Sequence, residues 1–152
     1  MVKVPIVTSA GASNVPVIAE LLKAGTRVNV TAVFTDAQVD ELHAAAIASL
    51  PAGVPLVVSI FCGRIGDTGR DPSVAVRYAV AAFKDVPSAK VLWAGCKDVV
   101  AVTSAHAVGA HIITCPGDIL SRVRGRLGMM DLHALSVNIM MALCDEEENL
   151  KK

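Results

Sequence analysis

The chain has 152 residues, and its 14 Lys plus Arg balance 14 Asp plus Glu, so the formal net charge is zero. At 53% hydrophobic and 18% charged, with a mean hydropathy of +0.55, it is too apolar for disorder. It is long enough for one cored domain and short of two, and its balanced charge gives no footprint for nucleic acid or a membrane surface.

The elements alternate without a break. Val2–Val7 reads as a first strand, followed by a helix over Ser13–Ala24 with Ser13 or Asn14 as cap, Pro16 early and Gly25 as stop. Arg27–Phe34 is the second strand. Its side chains alternate, so Asn29 and Thr31 share one face while Val28, Val30 and Ala32 share the other. A helix over Asp36–Leu50, a strand over Val54–Phe61 and a helix over Pro72–Asp85 come next. Then follow strand Ala89–Ala94, helix Asp98–Val108, strand Ala110–Thr114 and helix Asp118–Arg126. A last helix starts near Asp131 and runs into an acidic, then basic, tail at Asp145–Lys152, read as a solvated helix end.

With only three Phe, one Trp and one Tyr, the interior must be built from Val, Ala, Leu and Ile, as in sheets covered on both faces. Five consecutive βα units mean a parallel sheet with right-handed crossovers. No linker or composition shift divides residues 1–152, so a single domain is expected. The architecture is either an open doubly wound sheet or part of a (β/α)8 barrel. A full barrel takes about 250 residues and eight units, so five units alone do not close one.

No stretch approaches the roughly 20 apolar residues that cross a bilayer, and no signal peptide is read at the start. Cys62, Cys96, Cys115 and Cys144 form no CxxC pair and no metal spacing, so reduced thiols and a cytoplasmic protein are expected.

Several strings carry chemistry. Lys3, on a strand beside one bearing Asn29 and Thr31, suggests an amine acting as nucleophile on a carbonyl. By itself such a lysine is usually a solvated end, and the Asn/Thr pair reads at least as readily as an edge strand's polar face. Ser59-Ile60-Phe61-Cys62-Gly63-Arg64-Ile65-Gly66-Asp67 follows a Val-rich strand and presents a Gly-bracketed guanidinium, suited to an anion or else paired with Asp67. Gly95-Cys96-Lys97 and Thr114-Cys115-Pro116-Gly117-Asp118 close the next two strands, and Lys97 offers a second cation for a phosphate. All fall at the end of the sheet where parallel α/β folds keep their sites. His43, His106, His111 and His133 have no i,i+4 partner and read as surface or packing residues.

Together these strings resemble the transaldolase family, including its fructose-6-phosphate aldolase-like branch. The matching residues are Lys3-Val4-Pro5 with Thr8 and Gly11, Asn29 to Phe34 with Gln38, and Ser59 with Gly63-Arg64-Ile65 and Asp67. Gly109-Ala110, Thr114-Cys115-Pro116, Leu127 to Leu132 and Leu135-Ser136-Val137 complete the set. The resemblance implies an α/β chain made of the C-terminal five (β/α) units of a TIM barrel, a partial barrel of about five strands. It implies Lys3 as the Schiff-base lysine and Asn29 and Thr31 as pocket residues beside it. Ser59 and Phe61 would lie around the bound sugar, and Arg64 and Lys97 would hold its phosphate.

The implied reaction is transfer of a dihydroxyacetone unit between sugar phosphates, as in the pentose phosphate pathway, with no metal or organic cofactor. The attacking amine must be neutral, which burial favours. The sequence departs from the family pattern at Gly95, where a serine is usual, at Ile60, where a proline is usual, and by one extra residue between Pro5 and Thr8. The family's first three βα units, which carry a proton-shuttling aspartate and a water-positioning group, have no counterpart. Asp36, Asp67, Asp98 and Asp118 read as helix caps or loop residues instead. The competing expectation is a non-catalytic half-barrel. Either way, an open sheet this apolar predicts a homo-oligomer or a chain paired with a missing half.

Overall fold

The computed structural model describes residues 1–126, 131–137, 140 and 141. Cys144, the 127–130 part of the family resemblance and the charged tail at 145–152 lie outside the described residues. The order is β1 (Val2–Pro5), α1 (Val15–Lys23), β2 (Val28–Val33), α2 (Asp36–Ser49), β3 (Leu56–Ile60), α3 (Cys62–Asp67) and α4 (Pro72–Ala82). A 3-10 turn at Phe83–Asp85 leads to β4 (Ala89–Trp93), α5 (Val99–Ala107), β5 (Ile112–Ile113) and α6 (Gly117–Arg126). Residues 132–137 are helical, where a last helix was expected.

The five strands form one sheet in the order β1-β2-β3-β4-β5, every pair parallel. Among the described residues β1 and β5 do not pair with each other, so the sheet is open, an α/β partial barrel. Strand alternation gives it two unlike faces. One carries Val28, Val30, Val33, Leu56, Val58, Ile60, Val91 and Trp93, packed in a single buried cluster with Ile18 and Leu22 of α1 and Leu42 of α2. Val76 and Ala79 of α4 and Ala105 of α5 complete that layer. Each such aliphatic side chain contributes on the order of 1.5–3 kcal/mol by leaving water. The other face carries Lys3, Asn29, Val57 and Lys90 in one row, and Ser59, Leu92 and Ile112 in the next. Val57 and Leu92 are buried but stand outside the helix-side cluster.

The strand ends differ from expectation for local reasons. β3 starts at Leu56, after Pro55, which has no N–H to give the ladder. Past β1, Ile6 N–H still donates to Thr31 O at 2.9 Å, and the chain then folds back, with Val7 bridging Ser13 around Gly11 at φ +83°. β5 keeps two residues, because the His111 ring Nδ1 takes the Val91 N–H that a strand carbonyl would otherwise accept. α2 opens on a capping box between Thr35 and Gln38. Residues 62–67, expected as loop, are the short helix α3; burial of Cys62 and Ile65 on one side supports it despite two glycines.

β2 holds a second departure. Its register with β3 shifts between Val30 and Val33, and Ala32 sits at φ +58°. A bulge of this kind inserts one residue and resets the alternation. Val33 therefore returns to the helix side, where it is fully buried, instead of joining Thr31. Ala32 does not share a face with Val28 and Val30 as a regular strand would have it. Phe34 consequently meets Phe61 edge-to-face, with ring centroids 5.6 Å apart.

A left-handed alanine costs about 1 kcal/mol that glycine avoids, and a β-branched residue suffers more. Ala32→Gly is expected to hold or raise the urea midpoint, and Ala32→Val to lower stability by roughly 1–2 kcal/mol. Equal midpoints for the two variants would show that the bulge does not impose this backbone.

Candidate active site

β1 places Lys3 directly opposite Asn29 of β2, which lies opposite Val57 of β3. Asn29 is half-buried, and its Oδ1 accepts the Ser59 hydroxyl at 2.7 Å. With Oδ1 engaged in that bond, the NH2 is Asn29's remaining donor group. Thr31 follows on the same face, 8% exposed, and its Oγ1 has no partner among the described residues. A buried hydroxyl without a partner costs about 1–3 kcal/mol. Lys3 itself is exposed, so the burial that favours a neutral amine is not supplied by the described residues.

At the C-terminal ends of the strands, an open cavity of about 500 Å³ is bordered by Lys3, Phe61, Gly63, Arg64, Gly95 and Lys97, among others. It thus gathers four of the residues singled out from sequence: Lys3, Phe61, Arg64 and Lys97. Asn29, Thr31 and Ser59 do not border it; they lie on the sheet face it opens from. Among the described residues no carboxylate lines the cavity, and three cationic side chains border it.

Two glycines make this assembly possible. Gly63 N–H donates to Ala94 O at 3.1 Å, docking the first turn of α3 on the end of β4. A Cβ on Gly63 would stand 2.6 Å from Gly95 O, a backbone atom with nowhere to go. Gly95 has φ +81°, and its N–H donates to Thr114 Oγ1 at 3.2 Å. The serine usual in the resembled family is therefore replaced by a residue whose left-handed backbone a side chain would strain. Thr114, read in sequence as a strand end and part of a family-like string but given no role, tethers this turn; Phe34, likewise given no role, meets Phe61 because of the bulge, which nothing in the string predicts.

Asp67 stands beside the two phosphate candidates. Its Oδ1 accepts from Lys97 Nζ, and its Oδ2 lies 3.6 Å from Arg64 Nη1. The Lys97 hydrogen bond, then the charges of Lys97 and Arg64, hold the Asp67 carboxyl below the usual carboxylate range. The pairing of Arg64 with Asp67 weighed from sequence is present, and Lys97 is not simply solvated. Among the histidines, His43 bonds Asp85 at 2.9 Å and packs on Phe83, consistent with a packing role.

Burial pushes the Cys62 thiol up to about 12 and the Cys96 thiol up to about 11. Both thiols therefore stay protonated at pH 8, and iodoacetamide is expected to spare Cys62 and Cys96 in native protein and modify them in urea. Peptide mass mapping reads the result; native labelling of Cys62 at the unfolded rate would contradict it. Gly63→Ala is expected to lose about 1–3 kcal/mol of stability in urea melts, since the clash is with backbone. A melt unchanged from the parent would mean that α3 does not dock so closely.

A comparison with protein families matches residues 1–149 to the family described as Transaldolase/Fructose-6-phosphate aldolase. Among curated proteins, a probable transaldolase of Desulforudis audaxviator is 34% identical over 91% of this chain and 61% of its own length. A probable transaldolase of Herpetosiphon aurantiacus is 30% identical over 81% of this chain and 51% of its own. One of Caldicellulosiruptor saccharolyticus is 29% identical over 100% and 63% respectively. The chain thus spans about half to two thirds of the length of these relatives.

Proposed function

Because the chain belongs to the Transaldolase/Fructose-6-phosphate aldolase family, we propose that it carries the lysine and phosphate-binding part of a class I aldolase site acting on sugar phosphates. The observation that supports this most is the shared cavity: Lys3 from the first strand faces the same space as Arg64 and Lys97. An amine and two cations around a space that no carboxylate of the described residues lines suit a ketose whose far end is a phosphate.

In this reading the neutral Lys3 amine adds to the keto carbon and water leaves, giving an iminium. The C4 hydroxyl loses its proton, the C3–C4 bond breaks, and its electrons pass into the iminium to leave a lysine-bound dihydroxyacetone enamine. The aldehyde fragment departs. An aldose phosphate then accepts the three-carbon unit, and hydrolysis frees Lys3. Asn29 and Thr31 offer polar groups beside the amine, while Arg64 and Lys97 fix the phosphate and so the distance of the carbonyl from Lys3. The proton on the C4 hydroxyl needs a base, and among the described residues no carboxylate borders the cavity. In the cytoplasmic, cofactor-free reaction proposed, that base would come from outside the described residues.

A second reading is favoured by two observations: Lys3 is exposed, and the sheet is open with β1 and β5 each paired on one side only. Here the chain is a half-barrel without chemistry that self-associates over its open face.

Borohydride trapping with fructose 6-phosphate separates the readings. Intact mass and peptide mapping are expected to show a dihydroxyacetone-sized adduct on Lys3, absent in Lys3→Met of unchanged oligomeric state. Folded protein that yields no adduct, or full transfer activity in Lys3→Met, would overturn the Schiff-base reading.

A further inference from the structure

Asp67 owes its place as a carboxylate to its cationic neighbours and not to its helix. It is the last residue of α3, where unpaired carbonyls make the helix end negative, and it does not cap that end. Nor does it border the cavity that holds Lys3. What its position does explain is its two neighbours: one oxygen takes the Lys97 ammonium, the other approaches Arg64. A carboxylate forked between these two cations occupies the role that two oxygens of a phosphate would take.

We propose that Asp67 is an internal counter-ion that a substrate phosphate must displace from Lys97, so that it sets how tightly this site holds phosphate and how readily it lets phosphate go. The inference rests on the reading of Arg64 and Lys97 as the phosphate-binding cations.

Two features of the geometry support exchange rather than a fixed strut. First, Lys97 borders two cavities, the one it shares with Lys3 and a second of about 340 Å³ between α3 and the starts of α4 and α5. Asp67 borders only the second, so the ion pair draws the ammonium away from the space in which the sugar would lie. A lysine stem can swing between the two, with its charge kept paired at either end. Second, the groups are wet: the side chains of Lys97 and Arg64 are 59% and 77% exposed and that of Asp67 is 41% exposed. Ion pairs at such exposure are weak, because water and salt screen them and ordering two side chains costs entropy. A buried pair would lock Lys97; this one can be traded for an anion of higher charge.

The consequence follows from charge alone. Arg64 and Lys97 bring two positive charges, and Asp67 cancels one of them at the phosphate's door. A phosphate dianion can still compete with one carboxylate, whereas a neutral hydroxyl cannot, so Asp67 favours phosphorylated over plain sugars while keeping the hold on phosphate loose. Removing its charge should tighten binding, the reverse of what loss of a structural strut would do.

Titration with inorganic phosphate at fixed ionic strength, read by calorimetry, tests this with the parent, Asp67→Asn, Asp67→Glu, Lys97→Met and the Asp67→Asn/Lys97→Met pair. Asp67→Asn is expected to bind phosphate about threefold to tenfold more tightly than the parent, and Asp67→Glu to stay within about twofold of it. In the Lys97→Met background the gain from Asp67→Asn should shrink to what its contact with Arg64 leaves. Circular dichroism confirms that each variant is folded. If the parent binds phosphate, Lys97→Met weakens it, and Asp67→Asn is unchanged or weaker, the counter-ion role is overturned while the phosphate site stands. If neither the parent nor Asp67→Asn binds phosphate at concentrations on the order of 10 mM, both this inference and the phosphate-site reading fall.

Discussion

The contact between Gly63 and Gly95 is the constraint on which the site depends. With no side chain between them, the first turn of α3 sits against the last residues before the β4–α5 turn, held by the 3.1 Å bond from Gly63 N–H to Ala94 O. Arg64 is one residue beyond Gly63 and Lys97 two beyond Gly95, so this single approach sets the spacing of the two cations. It also explains why Asp67, one turn along α3, reaches Lys97. Thr114 extends the same logic to the next strand by accepting Gly95 N–H, so the ends of β3, β4 and β5 form one connected platform.

Below that platform, the sheet's two faces divide the work. The helix side is a continuous buried cluster of apolar side chains, with the Trp93 ring N–H its one polar group without a partner among the described residues. The opposite side is mixed: Val57 and Leu92 beside the Asn29–Ser59 hydrogen bond and the unpartnered hydroxyl of Thr31. The bulge at Ala32 separates the two regimes. Below it, alternation places Asn29 and Thr31 inward; above it, the reset phase returns Val33 to the core and brings Phe34 against Phe61 at the rim.

The alternation of five strands with helices was legible because apolar runs, caps such as Asp98 and stops such as Gly25 are local signals, each read within a few residues. The grouping of Lys3, Phe61, Arg64 and Lys97 at one cavity was legible too, since parallel topology puts all strand ends on one side. What the string concealed were features that depend on contact between distant segments. Cys62–Asp67 looked like loop because Gly63 and Gly66 weaken a helix; only packing of Cys62 and Ile65 against the core sustains one. His111 shortened β5 through a ring nitrogen, a partner no propensity anticipates. Asp67 was read as a loop or capping acid, since nothing in its spacing reveals a lysine 30 positions away.

Charge explains why the rest of the site must come from elsewhere if chemistry occurs. Among the described residues the charged side chains lining the cavity are Lys3, Arg64 and Lys97, a lining suited to an anion but without a carboxylate to accept the C4 proton of the proposed reaction. The sheet that carries Lys3 is open, and β1, the strand bearing it, is an edge whose residues are largely exposed. Covering that edge would dry the amine and place new groups within reach of it, whether they came from a second copy, from another chain or from residues beyond those described. The Gly63–Gly95 platform fixes the spacing of Arg64 and Lys97, whereas any chemistry proposed at Lys3 turns on what faces it across the open side.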